Sequence, residues 1–190
     1  MRNWRCAVLL ASMPVVASAE DVAGIKLAER ARLGTSELVL NGAGLRKRAF
    51  FRVYVAALYL TEARRTPADV LALAGPKRIS ITLMRSIPAR KLVDGLRDGI
   101  VENSSPAEQL ATRHRIDELA ANLLALEHGH PGDVITFDWR PGSGTHVLLN
   151  GEVKGDAIPG EDVYRALLRV WLGDRPSSAG LKKALLGQAN

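Results

Sequence analysis

Residues Leu40–Leu60 read LNGAGLRKRAFFRVYVAALYL. Glycines come first, then the basic run Arg46-Lys47-Arg48, then aromatic and β-branched residues that favour a strand. The pattern predicts a glycine-rich turn that delivers Arg46 to a strand over Phe50–Thr61, in which Arg52 and Tyr54 interrupt apolar residues. A guanidinium offers donors in a fixed fork that matches a carboxylate or an enolate, and a phenol adds one more. In an apolar pocket such a pair holds a ligand's head while the surroundings accept its tail. Arg46 and Tyr54 are therefore the candidate ligand-binding residues. Two plainer readings stand beside this one. Arg46 is a surface cation next to Lys47 and Arg48, with Tyr54 merely packed; or Arg52, two residues before Tyr54 and on its strand face, is the inward cation instead.

Outward from this stretch, short strands are expected at Val22–Leu27 and Glu37–Arg46. A helix opens at Thr66-Pro67 and runs to Ala74, with the threonine as N-cap and the proline in the first turn. Arg78–Met84 alternates as a strand does. Pro88–Val101 carries Leu92, Leu96 and Ile100 in one helical stripe. Ser105-Pro106 starts a further helix to about Leu126. Val134–Trp139 is a strand, and Thr145–Leu149 with Glu152–Gly155 is a hairpin turned by Asn150-Gly151. Helices over Gly160–Leu172 and from Ser177-Ser178 to Leu186 close the chain. Strands, then helices, then a hairpin block, then helices give an α+β architecture: an antiparallel sheet with a helical layer on one face.

The first 19 residues have the form of a secretory leader: Arg2 and Arg5, an uncharged run from Cys6 to Val16, and the small-x-small site Ala17-Ser18-Ala19. The run falls short of the ~20 residues needed to span a bilayer. Cleavage after Ala19 implies a periplasmic or secreted protein, with residues 20–190 forming one domain. It also removes Cys6, the only cysteine, so the remaining chain has neither a disulfide nor a thiol nucleophile. No second segment is apolar enough for a transmembrane helix. Losing Arg2 and Arg5 lowers the formal charge of +6 by two. That mild excess suits a small anionic ligand and is no nucleic-acid footprint.

Other chemistry is thinly represented. His128 and His130 flank Gly129, but a zinc site needs three or four ligands and His114 and His146 are remote in sequence. His146 has the chemistry of a general base but no nucleophile near it in sequence. No Gly-x-Ser-x-Gly elbow is present, and Gly42-Ala43-Gly44 lacks the lysine and serine or threonine of a phosphate loop. No metal and no cofactor is called for. Trp139, Trp171, Tyr59 and Phe137 read as core.

At Asn41-Gly42-Ala43-Gly44-Leu45-Arg46, Val53-Tyr54 and Leu58-Tyr59-Leu60 the chain resembles the chalcone isomerase fold family, in particular its bacterial chalcone-isomerase-like branch. Pro131-Gly132-Asp133, the block Val163–Gly173 and Leu181-Lys182 with Leu185-Leu186-Gly187 extend the resemblance over Val22–Gly187. It implies an open-faced β-sandwich with a ligand cleft between sheet and helices. Arg46 matches the arginine that steers the substrate phenolate in the plant enzymes. Tyr54 stands where those enzymes carry threonine, and tyrosine there resembles the fatty-acid-binding branch, in which arginine and tyrosine hold a carboxylate. Lys91 and Asp98 stand where the enzymes place a tyrosine and an asparagine. The resemblance thus implies a non-catalytic protein binding a fatty acid or similar amphipathic carboxylate. The alternatives are an intramolecular lyase acting on a chalcone-like aromatic enone, and a structural or partner-binding domain with Trp171 and the C-terminal helices as its interface.

Overall fold

The computed structural model describes residues 19–188. The leader reading falls on residues 1–19, of which all but Ala19 lie outside that range. The described residues open with a hairpin, β1 (Ala19–Val22) and β2 (Ile25–Ala28), where one strand over Val22–Leu27 was expected; Ala23 and Gly24, both at positive φ, make the turn. The main sheet holds β3 (Arg30–Leu33), β4 (Ser36–Arg48), β5 (Phe51–Leu60), β6 (Lys77–Leu83), β9 (Val134–Arg140), β10 (Gly144–Leu149) and β11 (Glu152–Ile158). Its seven strands run in the order β11-β10-β9-β6-β5-β4-β3, antiparallel throughout. A two-residue pair, β7 (Ile87–Pro88) and β8 (His128–Gly129), ties the loops beside it.

Helices α1 (Pro67–Ala72), α2 (Ala89–Glu102), α3 (Pro106–Leu124), α4 (Glu161–Leu172) and α5 (Ala179–Leu185) accompany the sheet. The expected α+β class, an antiparallel sheet with a helical layer on one face, is what the chain forms. The main core lies between them, with Leu58, Ile79 and Phe137 from the sheet meeting Leu119, Leu123 and Leu167 from the helices. The far face is not wholly open. The β1–β2 hairpin folds over it and brings Leu27 to Leu38, Val55, Ala57 and Tyr59, and the Tyr59 hydroxyl donates to the Ala28 carbonyl at 3.0 Å.

On that far face a polar row crosses the sheet in register: Tyr59 opposite Arg78, Arg78 opposite Asp138, Asp138 opposite His146. The Asp138 carboxylate is fully buried and accepts both forks of Arg78, at 2.6 and 2.7 Å.

Hydroxyl caps from Thr66, Ser105 and Ser178 set the starts of α1, α3 and α5. Ser105 and Glu108 form a reciprocal capping box at α3, and Glu108 also pairs with Arg169 of α4 at 2.8 Å. The Ser105 backbone N–H, then Arg169, hold the Glu108 carboxyl down from its ordinary 4.5 to about 2. A lowered folded-state pKa means the stabilisation is complete above 4.5 and is lost as pH falls towards 2. The stability gap between wild type and Glu108→Gln, under about 1 kcal/mol for so exposed a pair, should therefore close over that pH range. Thermal melts at stepped pH measure it, and a gap that persists at the acid end would assign it to something other than the charge.

Candidate functional site

Arg46 and Tyr54 face each other directly across β4 and β5. What puts Arg46 on the helical face is a bulge. Leu40 pairs with Tyr59 and Gly42 with Leu58, so Asn41 is an extra residue in β4. Leu38 and Leu40 belong to the far-face cluster. After the bulge the alternation is shifted, and Gly42, Gly44 and Arg46 turn towards the helices. Asn41 is itself buried and held at both ends, its Nδ2 donating to the Leu185 carbonyl at 2.7 Å and its Oδ1 accepting from the Arg64 N–H at 2.7 Å. The glycines expected to form a turn lie inside β4, because the strand continues through them to Arg48. They are small because α5 lies against them. A Cβ on Gly42 would stand 2.1 Å from the Ala184 carbonyl oxygen, and one on Gly44 2.7 Å from the Ala184 Cβ.

A cleft of about 750 Å³ opens between the sheet and α2 and α4. Arg46 and Tyr54 line it together. Its inner wall is apolar, with Ile81, Ile135 and Phe137 from the sheet and Leu96, Leu123 and Val170 from the helices. Cations predominate around the cleft: Arg46, Arg48, Arg85, Lys91 and Arg175 against Asp98 and Glu102. Lys91 and Asp98, the two helix positions singled out from the sequence, are both on its wall.

Arg46 is half-buried, and its Nη1 donates to the Lys47 carbonyl. Tyr54 is half-buried too, and its oxygen accepts from the Trp171 Nε1–H at 3.0 Å. An indole N–H donates only, so it fixes the phenol oxygen as acceptor and leaves the Tyr54 proton free to donate. The site is thus a guanidinium and a phenol O–H side by side at the polar part of an apolar cleft. Trp171, expected as core, is indeed buried, yet it also lines the cleft and orients Tyr54. No sequence signal pointed to this bond, since the two residues lie 117 positions apart.

Arg52 takes no part. It is exposed and off the cleft, because a second register shift falls between the pairs Arg46–Tyr54 and Lys47–Arg52 and breaks the two-residue rule that put it on Tyr54's face. His128 and His130 are exposed, with rings 6.0 Å apart, and His130 turns to Asp133. Among the described residues no three His, Cys, Asp or Glu side chains gather as a metal site. His114 sits on the surface of α3 beside Glu118. His146 does find a hydroxyl, Ser143 Oγ at 2.8 Å from its Nε2, but its register with Asp138 puts it on the far face, away from the cleft. Burial, then Arg140, lowers its pKa.

The sequence profile described as chalcone isomerase-like matches residues 19–187, nearly the whole chain. The chain belongs to the chalcone isomerase-like family. Among solved structures, this chalcone isomerase-like chain is similar to the crystal structure of the Arabidopsis thaliana fatty-acid binding protein AtFAP1. The TM-score is 0.63 at 14% identity, covering 86% of this chain and 92% of that one. A likeness at that identity speaks for the shared fold. No curated protein matches the sequence. No helix among the described residues is long and apolar enough to cross a membrane.

Proposed function

We propose that this chalcone isomerase-like protein is a non-catalytic binder of a fatty acid or similar amphipathic carboxylate. The carboxylate lies on the Arg46 guanidinium and the Tyr54 hydroxyl, and the tail lies along the apolar wall. One observation carries the reading: Arg46 and Tyr54 meet on one cleft wall, with the Tyr54 oxygen already engaged by Trp171 so that its proton is left to the ligand. The cleft volume of about 750 Å³ lies within the ~300–1,000 Å³ of small-ligand sites. An open cleft also speaks against a purely structural role. Lys91 and Asp98 on the helical wall are a cation and an anion where a cyclising enzyme of this family would present a phenol and an amide. Cyclisation of a chalcone depends on donors preorganised around a ketone and a phenoxide, and one arginine supplies only part of them. Residues 1–19 support export to the periplasm or the exterior. N-terminal sequencing of the protein recovered from its host tests that part, and an intact Met1 start would refute it.

Delipidated protein titrated with fatty acids from octanoate to stearate tests the clamp. Arg46→Ala should weaken binding by about 2 kcal/mol, some thirtyfold, and Tyr54→Phe by about 1 kcal/mol, some fivefold. Wild-type affinity in Arg46→Ala would sink the clamp. A rate with naringenin chalcone above the spontaneous one would overturn the non-catalytic part.

A further inference from the structure

We infer that the β4–β5 hairpin tip is a docking surface for an anionic lipid bilayer, set at the mouth of the cleft. Phe50 is fully exposed, at 101%, and its neighbour Phe51 is 60% exposed. The other large exposed apolar side chains among the described residues, Val101, Leu110, Leu124 and Val153, are aliphatic and lie on other elements. The turn that presents Phe50 is two residues long, since Arg48 pairs with Phe51, and Ala49 holds a φ of 51° there. Positive φ is what so short a hairpin turn requires of its first residue, and it leaves Phe50, the second, with its ring in solvent.

The charges on the hairpin tip and on the loop beside it have one sign, while the helical wall of the adjoining cleft adds Asp98 and Glu102. Lys47, Arg48 and Arg52 flank the tip and are exposed. Arg85, from the loop after β6, stacks its guanidinium 4.9 Å from the centre of the Phe51 ring. That loop is joined to the hairpin by the Met84 N–H on the Val53 carbonyl at 3.0 Å. No aspartate or glutamate occurs from Leu38 to Thr61 or from Met84 to Leu92. Aromatic rings rest at the headgroup boundary, and surrounding lysines and arginines are drawn to anionic headgroups. A protein partner would require acidic complementarity together with a pocket for Phe50. A bilayer needs only depth and negative charge, which a convex tip fits. Arg48, Phe51 and Arg85 also line the cleft, so the docked face and the cleft mouth are continuous. Uptake of a fatty acid directly from the bilayer rests on the proposed function; the docking itself does not.

Flotation of the purified protein with vesicles tests it. Binding should be strong to equal mixtures of phosphatidylglycerol and phosphatidylcholine, weak to phosphatidylcholine alone, and should fall as salt is raised. Phe50→Ser should weaken vesicle binding about tenfold, and Arg52→Glu about tenfold with a flatter salt dependence. Neither side chain lines the cleft, so fatty-acid titration in vesicle-free solution should match wild type in both variants. That separates failure of the docking from failure of the ligand reading. Equal binding to neutral vesicles, or unchanged binding by Phe50→Ser, would overturn the proposal. So would self-association of the free protein that Phe50→Ser abolishes without any vesicle binding, which would assign the tip to a second copy.

Discussion

Arg78→Met is expected to lower stability by about 4 kcal/mol. Methionine keeps most of the stem's volume, so little of the loss is packing. The loss comes from Asp138. Its carboxylate has no exposure and rests on two short bonds from Arg78, with only Arg140 besides, at 3.5 Å. Without Arg78 a buried charge is left nearly unpaired, and burying an unpaired carboxylate is far more unfavourable than forming the pair was favourable. The double variant Arg78→Met with Asp138→Leu should recover most of the loss, because it removes the stranded charge as well. Urea unfolding of the two single variants and the double variant closes the cycle. A double variant no more stable than Arg78→Met would mean that the pair does not act as a unit.

Gly42→Ala should cost about 3 kcal/mol. The added methyl would meet the Ala184 and Leu185 carbonyl oxygens at 2.1 and 2.9 Å and the Gly187 N–H nitrogen at 2.8 Å. All three are backbone atoms at the end of α5, and none can rotate away, so the helix must lift from β4. Gly95→Ala is the internal contrast. A methyl there meets nothing within 4 Å, on a helix interior where alanine is favoured over glycine by about 1 kcal/mol, so stability should rise. The urea midpoints of the two variants should move in opposite directions. A Gly42→Ala midpoint equal to wild type would show that α5 is only loosely seated on β4.

Much of the framework was legible because local rules and tertiary packing agree. Thr66-Pro67 and Ser105-Pro106 announced the starts of α1 and α3, since each hydroxyl does accept the N–H of the third residue onward, while both helices end two residues sooner than expected. Asn150-Gly151 announced the β10–β11 hairpin, and both residues adopt positive φ. Phe50–Thr61 and Arg78–Met84 became β5 and β6 with ends shifted by at most a residue. The short β3 (Arg30–Leu33) was not seen, because RARL has too few β-branched residues to declare itself. The glycines of β4 read as a turn because what they yield to is α5, more than a hundred residues on. Arg46 and Tyr54 were visible as a cation and a phenol in an apolar stretch. The bulge that aims one and the indole that orients the other were not, since both are long-range facts. Phe50 and Phe51 read as strand residues because aromatic rings normally pack, and nothing local distinguishes a ring that faces solvent.

The extra residue at Asn41 makes the site depend on a local irregularity as well as on identities. Straighten β4 there without removing a residue, and every amino acid can still be matched to its counterpart. The arginine would nevertheless emerge on the far face, the side of the sheet on which Leu38 and Leu40 lie. In this family an alignment can therefore score the arginine as retained in a chain whose cleft has lost it. The residue that anchors the bulge, Asn41 with its bonds to Leu185 and Arg64, is the more faithful sign of inherited function.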